Sequence, residues 1–184
     1  MGVFRRQRFY SSDEEFAAVR CGLLTTSCPF CKKIGTLILH GYLTSWHSPV
    51  LFIRRGRRII CTKRRRHNKG CGKTFSMLLS CFLPRLGYTT TTLWHVVRSI
   101  ANGSPIYKLA GYLRTTRKTV YRLFTRFKHA QYRIRSLLCT ITDPPALPDT
   151  THPYKQTINH LQATFPASNT LLEQFHLTFQ VPII

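Results

Sequence analysis

The chain has 184 residues, 43% of them apolar and twelve of them Phe, enough for one medium core or two small ones, which excludes wholesale disorder. Its 28 Lys and Arg against 6 Asp and Glu leave a formal net charge of +22. The acids stand only near the two ends, and residues 17–142 contain none. This excludes a self-neutralised helical surface and implies a polyanionic partner, nucleic acid before membrane.

In chain order, residues 1–25 read as a loosely ordered lead-in with one short helix over "SSDEEFAAVR". Ser12 would cap it, and Glu15 three residues on would complete a capping box. Residues 26–84 are basic and strand-like, with extended pieces at "TLILHGYL", "VLFI" and "RGRRIIC". From about Tyr88 the period changes. Leu93, Val96, Val97, Ile100 and Ala101 recur at the spacing of one helical face, and Asn102-Gly103 stops that helix. Ser104-Pro105 predicts the start of a second, with Ser as cap and Pro at the first helical position. A third runs from about Thr116 to His129 and on toward Leu138. Residues 141–152, with "TDPPALPDTTHP", form a proline-rich linker. Residues 153–184 then carry two short helices broken at Pro166. The expected class is α+β: a small β module over 26–84, three helices over 85–140 and a C-terminal helical segment.

No stretch approaches the roughly 20 apolar residues of a membrane span. "MGVFRRQRFYSSDEEF" lacks the apolar core of a secretory signal, and Arg6 stands where a myristoylation motif takes Ser or Thr. The expectation is a cytoplasmic, nucleoid-associated protein with no membrane partner. In that reducing setting seven cysteines point to metal or free thiols.

"CPFC" sets Cys28 and Cys31 two residues apart, and Cys61 and Cys71 flank "TKRRRHNKG". Two cysteine pairs on turns between strands suit a tetrahedral, structural Zn²⁺ with no open position. The surrounding cations favour thiolates and offset the −2 formal charge of such a centre. Nine residues separate Cys61 from Cys71 where two are usual, and His67 in that gap is the alternative fourth ligand. Cys21, Cys81 and Cys139 read as free thiols.

"CPFC" followed by "RRIICTKRRRHNKGCGKTFS" resembles the zinc ribbon of bacterial insertion-sequence transposases, most specifically at "CGKTFS". The stretched second knuckle departs from their pattern. Over residues 26–135 the resemblance implies a zinc ribbon followed by a helix-turn-helix that together bind transposon-end DNA. It also extends to short mobile-element proteins that lack a catalytic domain.

"SPIYKLAGYLRTTRKTVYRLFTRF" has the layout of a helix-turn-helix. Ala110 lets the helices cross closely, Val120 and Leu123 anchor the second helix, and Arg114 stands in the turn where Gly is favoured. Arg117, Lys118, Tyr121, Arg122, Thr125 and Arg126 are the expected DNA contacts on its polar face, suited to a major groove. Arg54, Arg55, Arg57 and Arg58, with Lys63, Arg64, Arg65 and Arg66, are expected on phosphates. Trp46, His47 and Phe52 read as ribbon core, with base stacking the alternative.

Six acids, none in the middle of the chain, do not assemble a two-metal nuclease or transposase site, so no enzyme is expected. The expected function is sequence-specific binding of double-stranded DNA by an end-binding subunit or regulator. Its expected partners are a separate transposase or recombinase subunit and a second copy of the chain. The alternatives are RNA binding and a protein–protein adaptor built on Leu161, Phe165, Leu171, Leu172, Phe175 and Phe179.

Overall fold

The computed structural model describes residues 9–46, 52–63, 69–146, 152–166 and 170–184. Among the described residues the fold is α+β, a four-stranded mixed sheet and six helices, divided into one compact unit over Met1–Gly87 and another over Tyr88–Ile184.

The first unit contains strands β1 (Phe9–Tyr10), β2 (Leu37–Trp46), β3 (Phe52–Cys61) and β4 (Thr74–Leu79) and helix α1 (Asp13–Gly22). The sheet order is β1-β4-β3-β2. β2, β3 and β4 run antiparallel, while β1 lies parallel to β4 through Phe9–Leu78 and Tyr10–Leu79. Phe52 and Ile53 of the expected piece "VLFI" join "RGRRIIC" in the single strand β3. Its register against β2 slips twice: His40 is skipped between Leu39 and Gly41, and Arg55 is skipped where Leu43 pairs with Gly56 and Thr44 with Arg54. A bulge of this kind re-aims the extra side chain.

Residues 9–23 correct the expectation of a loose lead-in. Phe9 and Tyr10 are buried, and Tyr10, Phe16, Val19 and Leu23 share a core with Leu37, Ile59 and Met77. Burying two aromatic side chains on the open edge of β4 outweighs the entropy of ordering a short N-terminal segment. Ser12 caps α1 as expected, its Oγ accepting from Glu15 N–H at 3.2 Å. The reciprocal bond falls one residue earlier, from Ser11 N–H to the Glu15 carboxylate at 2.6 Å.

The second unit is helical: α2 (Thr90–Ala101), α3 (Ile106–Tyr112), α4 (Arg117–Leu138), α5 (Pro153–Thr164) and α6 (Leu171–Phe179). Thr89 and Thr116 cap α2 and α4 by accepting from the Thr92 and Thr119 amides. α3 starts later than expected, with Pro105 at its cap and no side-chain cap bond. Ser104 N–H instead bonds Ser99 O at 2.9 Å, so Ser104 closes α2 rather than opening α3.

Leu93, Val96, Val97, Leu109, Ala110, Val120, Leu123 and Phe127 form buried faces of α2, α3 and α4. From α5 and α6, Leu161, Leu171, Leu172 and Phe175 are buried too, while Phe165 and Phe179 are half-buried. That C-terminal apolar face therefore packs largely into this unit's own core. The chain end is tied back by Arg133, donating to the Pro182 and Ile183 carbonyls, and by Ile183 N–H donating to His176 Nε2. No described helix is long and apolar enough to cross a membrane.

Candidate functional site

Two loops of the first unit meet at four sulfurs. In the first, Cys28 N–H bonds Lys33 O and Lys32 N–H bonds Cys28 O, both at 2.9 Å, with Lys32 in the left-handed region at φ 64°. This turn aims Cys28 and Cys31 the same way. Phe30 N–H donates to Cys28 Sγ at 3.4 Å.

The second loop explains how nine residues fit between Cys61 and Cys71. Its base is clipped by Gly70 N–H to Thr62 O, Gly72 N–H to Cys61 O and Cys61 N–H to Lys73 O, at 2.8, 2.8 and 3.0 Å. The insertion leaves and returns at one place, so the cysteine pair keeps its geometry. Cys71 N–H donates to Cys61 Sγ at 3.2 Å, and Thr36 Oγ1 lies 3.1 Å from the same sulfur. A Cβ on Gly70 would stand 2.3 Å from Cys61 Sγ and 2.7 Å from Thr62 O, so only glycine fits beside the sulfur.

The Sγ atoms of Cys28, Cys31, Cys61 and Cys71 all lie within 4.8 Å of one another, with Cys28–Cys71 at 3.8 Å and Cys31–Cys61 at 3.6 Å. A tetrahedron of metal–sulfur bonds of about 2.3 Å has edges of about 3.8 Å, so the set fits a metal ion such as zinc. These sulfur separations are also far longer than a disulfide, about 2.05 Å. Cys61 thus stands in the cluster, while His67 lies outside the described residues.

Burial pushes the Cys28 thiol up to about 12, although the Cys31 and Phe30 amides favour its thiolate. Cys31 is drawn down to about 7, first by the Lys33 backbone amide. A metal ion binds the thiolate forms, so binding here would displace the protons of these thiols. Lys32, Lys33, Lys63 and Lys73 stand in or beside these loops, where they would offset the charge of a four-thiolate metal centre. A metal ion held by all four would keep no position for a substrate or water, which is the coordination of a structural site.

No protein-family model, curated protein or solved structure matches this chain.

The basic residues of β3 divide into two kinds. Arg54 and Arg58 are exposed, Arg54 with its guanidinium 4.4 Å from the centre of the Tyr42 ring. Arg55, turned by the bulge, donates to the Leu83 and Leu86 carbonyls and is committed to the fold. Arg57 pairs with Asp13 at 2.9 Å and lies over the Tyr42 and Phe16 rings. The premise of a countercharge-free cluster is thereby corrected at Arg57. Lys63 is exposed; Arg64, Arg65, Arg66 and His47 lie outside the described residues, as do the side chains of Trp46 and Phe52.

In the helical unit Arg117, Lys118, Tyr121, Arg122 and Arg126 are exposed and Thr125 is half-buried. The opposite face of α4 is buried through Val120, Leu123 and Phe127. Tyr121 keeps 61% of its surface exposed and Tyr112, at the end of α3, keeps 74%, its ring 4.9 Å from that of His95. Arg117 lies over the Tyr107 ring at 5.8 Å. Sequence reasoning missed Thr36 and Gly70 beside the sulfurs. Only the distance to the cluster distinguishes them from ordinary strand and loop residues.

Proposed function

We propose that the chain is a sequence-specific DNA-binding protein of transposon or mobile-element origin, serving as an end-binding subunit or a regulator. In this reading the sheet unit is a zinc ribbon whose Cys28, Cys31, Cys61 and Cys71 hold a structural Zn²⁺. Helices α2 to α4 are the helix-turn-helix, with α4 as its reader. The observation that carries the reading is the pairing of α3 with α4. A short turn joins them, Ala110 is buried on α3, and Lys118, Tyr121, Arg122 and Arg126 are exposed on α4, within a stretch of sequence (17–142) that holds no acid. An unneutralised basic face on a helix anchored from behind suits a major groove. Chemistry on the DNA would come from a separate transposase or recombinase subunit. A dimer of the chain would match half-sites on a two-fold.

The test is selection of bound oligonucleotides from a random duplex pool, with a random RNA pool run in parallel. Recovery of one sharp duplex motif is expected. Enrichment of structured RNA with no duplex motif would replace the reading by RNA binding, because the narrow major groove of A-form RNA does not admit α4.

A further inference from the structure

Helices α2 and α3 end in the same way. α2 closes with Ser104 N–H to Ser99 O at 2.9 Å and Gly103 N–H to Ile100 O at 3.0 Å. α3 closes with Thr115 N–H to Ala110 O at 2.9 Å and Arg114 N–H to Gly111 O at 3.1 Å. These are the paired bonds of a Schellman cap, which needs a left-handed residue just past the helix. Gly103 supplies it at φ 82°, and Arg114 supplies it at φ 48°.

The first turn is made by the residue that takes this conformation without strain. The second is made by one whose Cβ opposes it. The cap bonds would form equally well with glycine there, and among the described residues no side-chain contact of Arg114 repays that strain. The Arg114 side chain is exposed, and among the described residues it has no hydrogen bond, ion pair or ring contact. A strained residue whose side chain does nothing for the fold points to a ligand.

The chemistry of that ligand follows from the surroundings. Arg117 and Lys118 are exposed just beyond the turn, and residues 17–142 hold no acid to compete for the guanidinium. A planar cation with several donors suits the two free oxygens of a phosphodiester. Resting on the duplex-DNA reading above, we infer that Arg114 is a phosphate-backbone contact presented by the α3–α4 turn. It fixes where α4 enters the groove and does not itself read sequence.

The test uses the full-length, metal-loaded protein and its Arg114→Gly, Arg114→Ala and Arg114→Lys variants. For each, the melting temperature of the helical unit and the affinity for the selected duplex between about 50 and 200 mM salt are measured. Arg114→Gly should melt higher than wild type yet bind several-fold more weakly. Its slope of log K against log salt should be shallower by about 0.9, the value of one lost phosphate contact. The loss should be equal on duplexes of unrelated sequence. Arg114→Ala should lose the contact without gaining stability, and Arg114→Lys should keep the wild-type slope. The higher melting point shows that the glycine variant is folded, so weak binding cannot be put down to damage. Wild-type affinity and slope in Arg114→Gly would overturn the inference while leaving the duplex reading intact. Failure of the wild-type protein to bind any duplex would remove that reading and this inference with it.

Discussion

Thr36 is buried, with its hydroxyl 3.1 Å from Cys61 Sγ, where it can donate to a thiolate. Outer partners of this kind orient the ligand and stabilise its charge, so Thr36→Val should weaken metal affinity by about 10–100-fold. Competition against a chromogenic chelator measures this; unchanged affinity would place the hydroxyl outside the metal's chemistry. Arg122 tests the other end of the molecule. It is exposed on α4, one turn beyond Lys118 and opposite the buried Val120 and Leu123. Arg122→Ala should relax preference at one base pair by about 1–3 kcal/mol and leave the others as they were. Arg58→Ala, on the exposed face of β3, should instead weaken all duplexes alike. Repeating the oligonucleotide selection separates the two effects. An unaltered motif with Arg122→Ala would mean that α4 is not the reader.

At the level of elements, α6 is apolar and carries one acid, Glu173, in its first turn. Burial raises the pKa of that carboxyl above its ordinary 4.5, and the Thr90 hydroxyl at 3.4 Å only partly opposes it. Below the ordinary value the group is protonated both folded and unfolded and costs nothing. As pH rises through the raised folded value, the helical unit loses stability. Glu173→Gln should therefore melt higher than wild type near pH 8, with the gap closing by about pH 4. Thermal melts followed by circular dichroism at the two pH values check the sign, and a gap that widened on acidification would refute it. The helices were the most legible part of the sequence. The apolar spacing around Leu93–Ala101, the Asn102-Gly103 stop and the Thr116–Leu138 run all sit where local pattern puts them, because helical bonds close within a few residues. The α3 start moved because Ser104 was claimed by the preceding helix, a competition that propensity does not weigh. The strand β1 escaped notice for a different reason. Two residues have no period, and the pair is a strand only because β4 lies beside it.

For the whole molecule, only the first unit contains the cysteine cluster. In the proposed reading, four thiolates around one ion would tie the two loops to the core through Cys28 and Cys61, which would link folding of that unit to metal binding. Chelation should melt the sheet unit and leave the signal of α2–α6 in place, giving two thermal transitions where the loaded protein shows them closer together. Cys28→Ser should reproduce the chelated state without any chelator. Proton resonances assigned to each unit distinguish this from a single cooperative loss, which would contradict it. The parallel pairing of Phe9–Tyr10 with Leu78–Leu79 carries a consequence for the chain as it is made. The first strand waits for a partner about seventy residues downstream, which takes roughly 4–14 s of synthesis at about 5–20 residues per second. During that interval Phe9, Tyr10 and Phe16, all buried in the finished unit, stand uncovered on a nascent chain. A ribosome stalled before Leu79 would thus hold out an adhesive segment over residues 9–16, still awaiting its partner strand.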